Sequence, residues 1–375
     1  MAGIYIHIPF CKQACHYCNF HFSTNLSSQN DFIAALLKET ELRLPYLNAE
    51  TVETVYFGGG TPSLLPDTAI AEILNTIFRV FSISTDPEIT LEANPDDMQP
   101  DRLKTWRKAG INRLSIGVQS FFNEDLSWMN RAHDAHQAIR AVEEAKKAGF
   151  DNYSLDLIYG LPALTDENWR KNIQKAIALE PAHLSCYALT VEPKTALYQM
   201  IRLKKIQDPE PEKQSSQFLT GIQMLEAAGY EHYEISSFAK PGKRSRHNSA
   251  YWQSKKYLGL GPAAHSFDGY SRQWNISNNA LYIKSLMAGN LCFESEILAP
   301  KDVLNEYIMT SLRTREGLDL QYVSFHFGEE KGSLLERQAS VYIQSNQMER
   351  NENRLVLTMN GKLFADGIAA ALFFE

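Results

Sequence analysis

The sequence is poor in the features that would put it in or across a membrane. No apolar run in its 375 residues approaches the ~20 needed to span a bilayer. No basic segment leading into an apolar core stands at the start, so a secretory signal is not expected. Positive charge is in deficit, with 37 Lys and Arg against 44 Asp and Glu and a net charge of −7. Nothing in that balance advertises a nucleic-acid binder. No fixed-period repeat and no low-complexity segment occurs, which excludes solenoids and disordered tails. Cysteine is scarce and odd in number, five in all. An odd count argues against a disulfide framework and for a reducing, cytoplasmic compartment.

What remains is an ordinary globular composition, 44% hydrophobic and 22% charged. The length suits a large domain plus a smaller one. Strand-like runs fall at 4–9, 53–58, 88–94, 113–119, 152–160 and 183–190. Helical patterns separate them. Asp67 is the expected cap of one helix, with Ile70, Ile73, Leu74, Ile77 and Phe81 on one face; Asp134 and Gly149 bracket another. Six strand–helix units in series predict a parallel sheet with right-handed crossovers. Six rather than eight predicts an incomplete (β/α)6-type TIM-like barrel, an α/β fold with active groups at the carboxyl ends of its strands. Strand parity sets Ser115, Gly117 and Gln119 opposite Leu114, Ile116 and Val118, and likewise Thr90 and Glu92 opposite Ile89 and Leu91, and Ser154 and Asp156 opposite Leu155 and Leu157. A polar face inside a barrel is costly unless it meets water or a ligand. The expected division is 1–190 for the core, 191–299 for a continuation of the barrel after a charged excursion, and 300–375 for a mostly helical, winged-helix-like domain. That last segment holds eight basic and eleven acidic residues, a balance suited to packing rather than to reading DNA.

Three of the five cysteines crowd into IYIHIPFCKQACHYCNFHF, as Cys11, Cys15 and Cys18, directly after the first strand. Three thiolates on a tight loop can hold three corners of an iron–sulfur cube and leave one iron with an exchangeable position. The alternative is a structural zinc completed by His16 or His21, although no second cysteine pair is present. Cys186 and Cys292 read as buried thiols. Gly58, Gly59, Gly60 and Thr61 follow the second strand, where glycines let backbone approach a ligand. A second unusual stretch is HNSAYW, with His247, Tyr251 and Trp252, preceded by Lys240, Lys243, Arg244 and Arg246. An imidazole can ligate heme iron, aromatic rings can stack on a porphyrin, and cations can meet its propionates. A histidine on a solvated loop beside anchoring aromatics fits the same letters. His265 is a weaker candidate ligand, and His7 reads as a strand hydrogen-bonder.

The spacing Cys-x3-Cys-x2-Cys, with YIHIPFC, GGGTP, SIGVQS and DLIYGLP in order, resembles the radical S-adenosylmethionine superfamily, in its oxygen-independent coproporphyrinogen III oxidase-like branch. The resemblance covers essentially the whole chain. It implies a [4Fe-4S] cluster on Cys11, Cys15 and Cys18, and S-adenosylmethionine contacts from Tyr5, Tyr17, Gly59, Gly60, Thr61, Glu92, Gln119, Arg131 and Asp156. HNSAYW matches the HNxxYW motif of the heme-chaperone members of that branch, which implies heme at His247, Tyr251 and Trp252. Phe20 stands where the oxidase pattern continues to a fourth cysteine, and no N-terminal extension of the oxidase kind is expected before the first strand. Both departures favour the chaperone, with the oxidase, which decarboxylates coproporphyrinogen III to protoporphyrinogen IX, as the alternative. Expected partners are heme, unidentified heme acceptors, an electron donor for the cluster and a weakly held membrane surface, with no nucleic acid.

Overall fold

The computed structural model describes residues 2–375. Strands β1 (Ala2–Ile8), β2 (Val52–Gly59), β3 (Ile83–Ala93), β4 (Arg113–Gln119), β5 (Tyr153–Tyr159) and β6 (His183–Ala188) lie side by side in chain order. Every neighbouring pair among them is parallel. Helices α1 (Gln29–Leu42), α2 (Asp67–Val80), α3 (Pro100–Ala109), α4 (Asn123–Trp128), α5 (Ala135–Lys147) and α6 (Asp166–Ala178) make the crossovers. The apolar strand positions are sealed against them: Leu114, Ile116, Val118, Leu155 and Leu157 are all fully buried in one large core.

Local signals explain most helix ends. Asp134 caps α5 through a reciprocal box with Gln137, and Gly149 follows its last turn at φ 82°. Asp67 departs from expectation. Pro66 occupies the cap position of α2, and the Asp67 carboxylate instead accepts from Trp106 Nε1 at 3.0 Å and Arg102 Nε at 2.9 Å. It ties α2 to α3 rather than closing its own helix, because a buried indole and guanidinium offer stronger donors than a backbone end already open to solvent.

The excursion after β6 holds α7 (Ala196–Arg202) and leads into α8 (Pro211–Ala227), β7 (Glu231–Glu234) and β8 (Ser237–Ala239), the last antiparallel to β6. Then come α9 (Arg246–Trp252), β9 (Lys256–Leu260), β10 (His265–Phe267), β11 (Ser271–Asn275), α10 (Asn279–Met287) and β12 (Phe293–Ile297). β9 returns to pair in parallel with β1. The sheet therefore has twelve strands, running from β12 at one edge to β7 at the other, and stays open. A second buried cluster gathers α11 (Pro300–Leu312), β13 (Leu318–Asp319), α12 (Leu320–Phe327), α13 (Glu329–Gln344), β14 (Met348–Asn351), β15 (Arg354–Leu357), α14 (Met359–Lys362) and α15 (Ala365–Ala371). Its hairpin and β13 form a separate three-stranded sheet.

Candidate functional site

The cysteine loop leaves the carboxyl end of β1. Its neck is closed by Cys11 N donating to Ser23 O at 3.0 Å and Ser23 N to Pro9 O at 2.9 Å. Phe10 anchors it by packing edge-on against Phe32, ring centroids 5.3 Å apart. Two further backbone bonds dock it on the glycine segment, from Gly60 N to Ile8 O at 2.8 Å and Thr61 N to Phe10 O at 2.7 Å. A Cβ at Gly60 would stand 2.6 Å from Phe10 O and 3.0 Å from Cys11 Sγ, so only glycine permits this approach. On the far side, Asn130 Nδ2 donates to Ala14 O at 2.7 Å, and the residues ending α4 hold His16 through its backbone and ring.

Cys11, Cys15 and Cys18 are half-buried free thiols. Burial raises the Cys11 thiol and pushes Cys18 up to about 11. Arg131 Nη1 points at Cys15 Sγ from 3.3 Å, and the Thr61 hydroxyl at Cys11 Sγ from 3.5 Å. A cation and a hydroxyl aimed at sulfur suit thiolate ligands. No three His, Cys, Asp or Glu side chains converge on a single-ion site among the described residues. Of the histidines offered for zinc, His16 Nδ1 lies 2.7 Å from Trp128 O and His21 Nε2 lies 2.7 Å from Asn279 Oδ1, which engages one ring nitrogen of each. Three thiols are the number a cluster with one open iron takes, where a structural zinc takes four ligands.

The next layer inward is polar and connected. Arg131 Nη2 bridges Asn94 Oδ1 at 2.6 Å and Gly117 O at 3.0 Å. Gly117 lacks the Cβ that would come within 3.0 Å of Gln119 Nε2 and 3.2 Å of Arg131. Gln119 itself sits at φ 64°, a left-handed conformation that side chains other than glycine seldom adopt and that concentrates at ligand sites. Tyr56 Oη donates to Glu92 Oε1 at 2.8 Å, and Ser115 Oγ to Asp156 Oδ2 at 3.2 Å. Asp156 Oδ1 has no partner. Burial, with the charge of Asp156, raises Glu92 to about 8. Tyr5 leans on Tyr56, centroids 6.2 Å apart, and lies close enough to Glu92 for that charge to help burial raise its phenol. Tyr17 is near Cys15, Cys18 and Arg131. Of the nine positions expected for the nucleotide, Thr61 and Arg131 point at the thiols, Gly60 lies against Cys11, and Tyr17 and Glu92 stand near enough to influence the sulfurs.

HNSAYW goes elsewhere. Its helix, α9, lies at the amino end of the strands, where both Glu88 oxygens accept from its first turn: Arg246 N at 3.0 Å and His247 N at 2.9 Å. His247 is 2% exposed. Thr54 Oγ1 stands 2.8 Å from its Nδ1 and Tyr251 Oη 3.0 Å from its Nε2, and the ring stacks on Tyr56 at 5.0 Å. Burial and then the charge of Arg113 lower its pKa to about 3. An imidazole standing ready for iron is not what this conformation shows, because both ring nitrogens are taken. Trp252 turns outward, under Arg313 at 5.2 Å. Of the four cations expected for the propionates, Arg244 pairs with Glu231 and Glu316 and Arg246 with Asp86, while Lys240 and Lys243 form no ion pair among the described residues. His265 is exposed beside Trp274; His7 Nε2 lies 2.8 Å from His21 O, which ties the side chain of a β1 residue to the loop after the cysteines. Cys186 is buried and Cys292 only half-buried.

The sequence reading passed over Asn94, Tyr56 and Arg113. Strand parity already set Ser115 on the polar face. Asn94 closes the 88–94 run, and only the pairing of Arg131 with it reveals its part.

Residues 5–176 match the model of the Radical SAM superfamily. "Heme chaperone HemW" of Bacillus subtilis is 31% identical over 378 residues, covering 100% of both chains. The protein of the same name from Mycobacterium tuberculosis is 34% identical over 99% of this chain and 94% of its own. This chain belongs to the HemW family of radical SAM proteins. The HemW of Escherichia coli is 39% identical over 70% of this chain and 69% of its own. Among solved structures, coproporphyrinogen III oxidase (HemN) from Escherichia coli superposes with a TM-score of 0.85 over 99% of this chain and 90% of that one, at 24% identity, and so shares the fold. Membership of the radical SAM superfamily implies a [4Fe-4S] cluster and S-adenosylmethionine, and the HemW family is the setting for the rest.

Proposed function

We propose that the chain is a heme chaperone built on a radical SAM core, binding heme and passing it to acceptor proteins. The observation that carries this is identity to proteins named heme chaperones along the full length of the chain. Phe20, 63% exposed at the edge of the cysteine loop, adds to it. Cys11, Cys15 and Cys18 would hold the cluster, with Arg131 and Thr61 steadying the sulfurs. Tyr5, Tyr17, Gly59, Gly60, Glu92, Gln119 and Asp156 would surround the sulfonium nucleotide. A cluster bound there supplies one-electron chemistry to that nucleotide. The protein's own share is orientation: Gly60 and Gly117 bring backbone close, Tyr56 fixes one oxygen of Glu92, and Ser115 fixes one of Asp156.

Heme at His247, Tyr251 and Trp252 would require α9 to leave the floor of the sheet. The ring would then give up two hydrogen bonds worth about 1 kcal/mol each, net. The test is anaerobic reconstitution followed by titration with hemin and, separately, with coproporphyrinogen III. Four irons per chain, a Soret band with hemin and no carbon dioxide from coproporphyrinogen are expected. Release of carbon dioxide would instead make the chain an oxidase. Hemin affinity unchanged in His247→Ala would put the iron ligand elsewhere.

A further inference from the structure

The loop between Cys11 and Cys15 is only three residues long, and its two flanks are held by different parts of the chain. Beside Cys11, the Lys12 ammonium reaches Asp96 and Asp97, just beyond β3. Beside Cys15, the loop lies along Trp128, Met129, Asn130 and Arg131, where α4 ends, and each of the four meets it. Trp128 O lies 2.7 Å from His16 Nδ1, and Met129 O accepts from His16 N at 3.2 Å. Asn130 O accepts from Gln13 Nε2 at 2.9 Å, and Asn130 Nδ2 donates to Ala14 O at 2.7 Å. Arg131 Nη1 points at Cys15 Sγ from 3.3 Å.

The end of α4 explains how four consecutive residues can face one loop. Asn130 N donates to Ser127 O at 3.1 Å and Arg131 N to Leu126 O at 2.9 Å, the paired bonds that close a helix around a left-handed residue. That residue is Asn130, at φ 58°. A helix leaves its last carbonyls without partners of its own, and here Trp128 O and Met129 O find His16. Glycine is the usual occupant of the left-handed position, and asparagine is tolerated there. Closure alone therefore does not call for Asn130. What glycine would lack is the amide that reaches Ala14 O. The backbone turn and the side chain are separable, and only the second needs this residue type.

We propose that Asn130 is a positioning residue for the [4Fe-4S] cluster: its side-chain amide holds the loop so that Cys15 keeps a fixed place relative to Cys11 before iron arrives. The inference rests on reading Cys11, Cys15 and Cys18 as the cluster's ligands. Asn130 hydrogen-bonds no sulfur and acts through Ala14, the residue before Cys15. The same turn aims Arg131 at the Cys15 sulfur, so backbone and cation are placed together. A loop ordered when the chain folds has little freedom left to lose on loading, and a ligand set already in place releases metal slowly.

Asn130→Gly separates the two roles, since it suits the turn and removes the amide. In the metal-free protein, hydrogen exchange at the amides of residues 14–18 should quicken about threefold, while β4 and α5 exchange as in wild type. That is the low end for one hydrogen bond, because Ala14 is exposed. After anaerobic reconstitution with iron and sulfide, the variant should lose iron to a ferrous chelator about threefold faster. The paramagnetic-resonance signal of its reduced cluster should broaden. Asn130→Asp, which keeps the shape and loses the donor, should behave like Asn130→Gly and takes its place if that variant does not fold. Exchange and iron loss equal to wild type would show that Asn130 only closes α4, and would overturn the proposal. Quickened loop exchange with unchanged iron loss overturns it too, because the loop would then be ordered without consequence for its ligands. So does quickened exchange spread through β4 and α5, which is loss of fold and not of position. The cluster reading fails separately: wild-type protein that takes up no cluster refutes it, whereas a loaded wild type matched by Asn130→Gly refutes the role of Asn130 alone.

Discussion

The two ends of the parallel sheet carry the two most unusual stretches of sequence and treat them in opposite ways. At the carboxyl end the three thiols are half-buried, unbridged and attended by a cation, with a left-handed Gln119 and an unpartnered Asp156 oxygen close by. At the amino end His247 is sealed, with both nitrogens engaged and its backbone tied to Glu88. One end keeps polar capacity in reserve around its thiols; at the other, His247 has none left. Reserve of that kind marks a site that awaits a ligand, whereas a saturated histidine marks a part of the scaffold in this conformation.

The sharpest way to break this contrast is to remove the reserve. Replacing Cys11, Cys15 and Cys18 together by Ala should abolish iron incorporation after anaerobic reconstitution, from about four irons per chain to background, while thermal melting shifts little. A collapse in melting would mean that the thiols hold the fold rather than a cofactor. Next comes the saturated end. His247→Ala strands Thr54 and Tyr251 and opens space against Tyr56, so chemical denaturation should show a loss of about 2–5 kcal/mol. A loss under about 0.5 kcal/mol would show that the seal at the amino end is ornamental.

Acid should separate the buried histidines from Glu92 in sign. His247 is lowered to about 3, and burial also takes His7, His133 and His232 to about 4. In each case the unfolded chain takes up a proton first. Their stabilisation is therefore complete above the ordinary histidine value of about 6.5 and is lost as pH falls toward the folded values. Denaturation midpoints should drop from about pH 7 to about pH 5, with an upper bound near 2 kcal/mol per group. Glu92 runs the other way. Its folded value near 8 gives stabilisation that is full below about 4.5 and lost as pH rises through 8. Glu92→Gln should thus remove a decline that runs from about pH 4.5 to about pH 8, so stability rises more steeply with pH across that window than in wild type. The smallest expected effect is that of Phe20→Ala. The side chain is 63% exposed, so stability should stay within about 0.5 kcal/mol and iron content unchanged.

Much of the carboxyl end is legible in the sequence because its signals are local. Cysteine spacing, the glycine run and the alternation in β3, β4 and β5 each lie within a few residues, and parity alone puts Glu92, Ser115 and Asp156 on one face. The amino end is opaque for the converse reason. Nothing within HNSAYW tells that its seven-residue helix turns inward, because the groups that turn it are Glu88, 159 positions away, and Thr54, 193 positions away. Asp67 misleads in the same way: a good cap by type, it is claimed by Trp106 and Arg102 from the next helix.

The pairing of β9 with β1 has a consequence for how the chain is made. The strand that delivers the cysteines is flanked on one side by residues 256–260, which leave the ribosome long after it does. At about 5–20 residues per second the delay is roughly 10–50 s. Throughout that interval one border of β1 has no mate, and the nascent chain presents its sulfur-bearing loop on a half-built support. Metal loading before translation ends would meet a different molecule from the one that later greets the nucleotide.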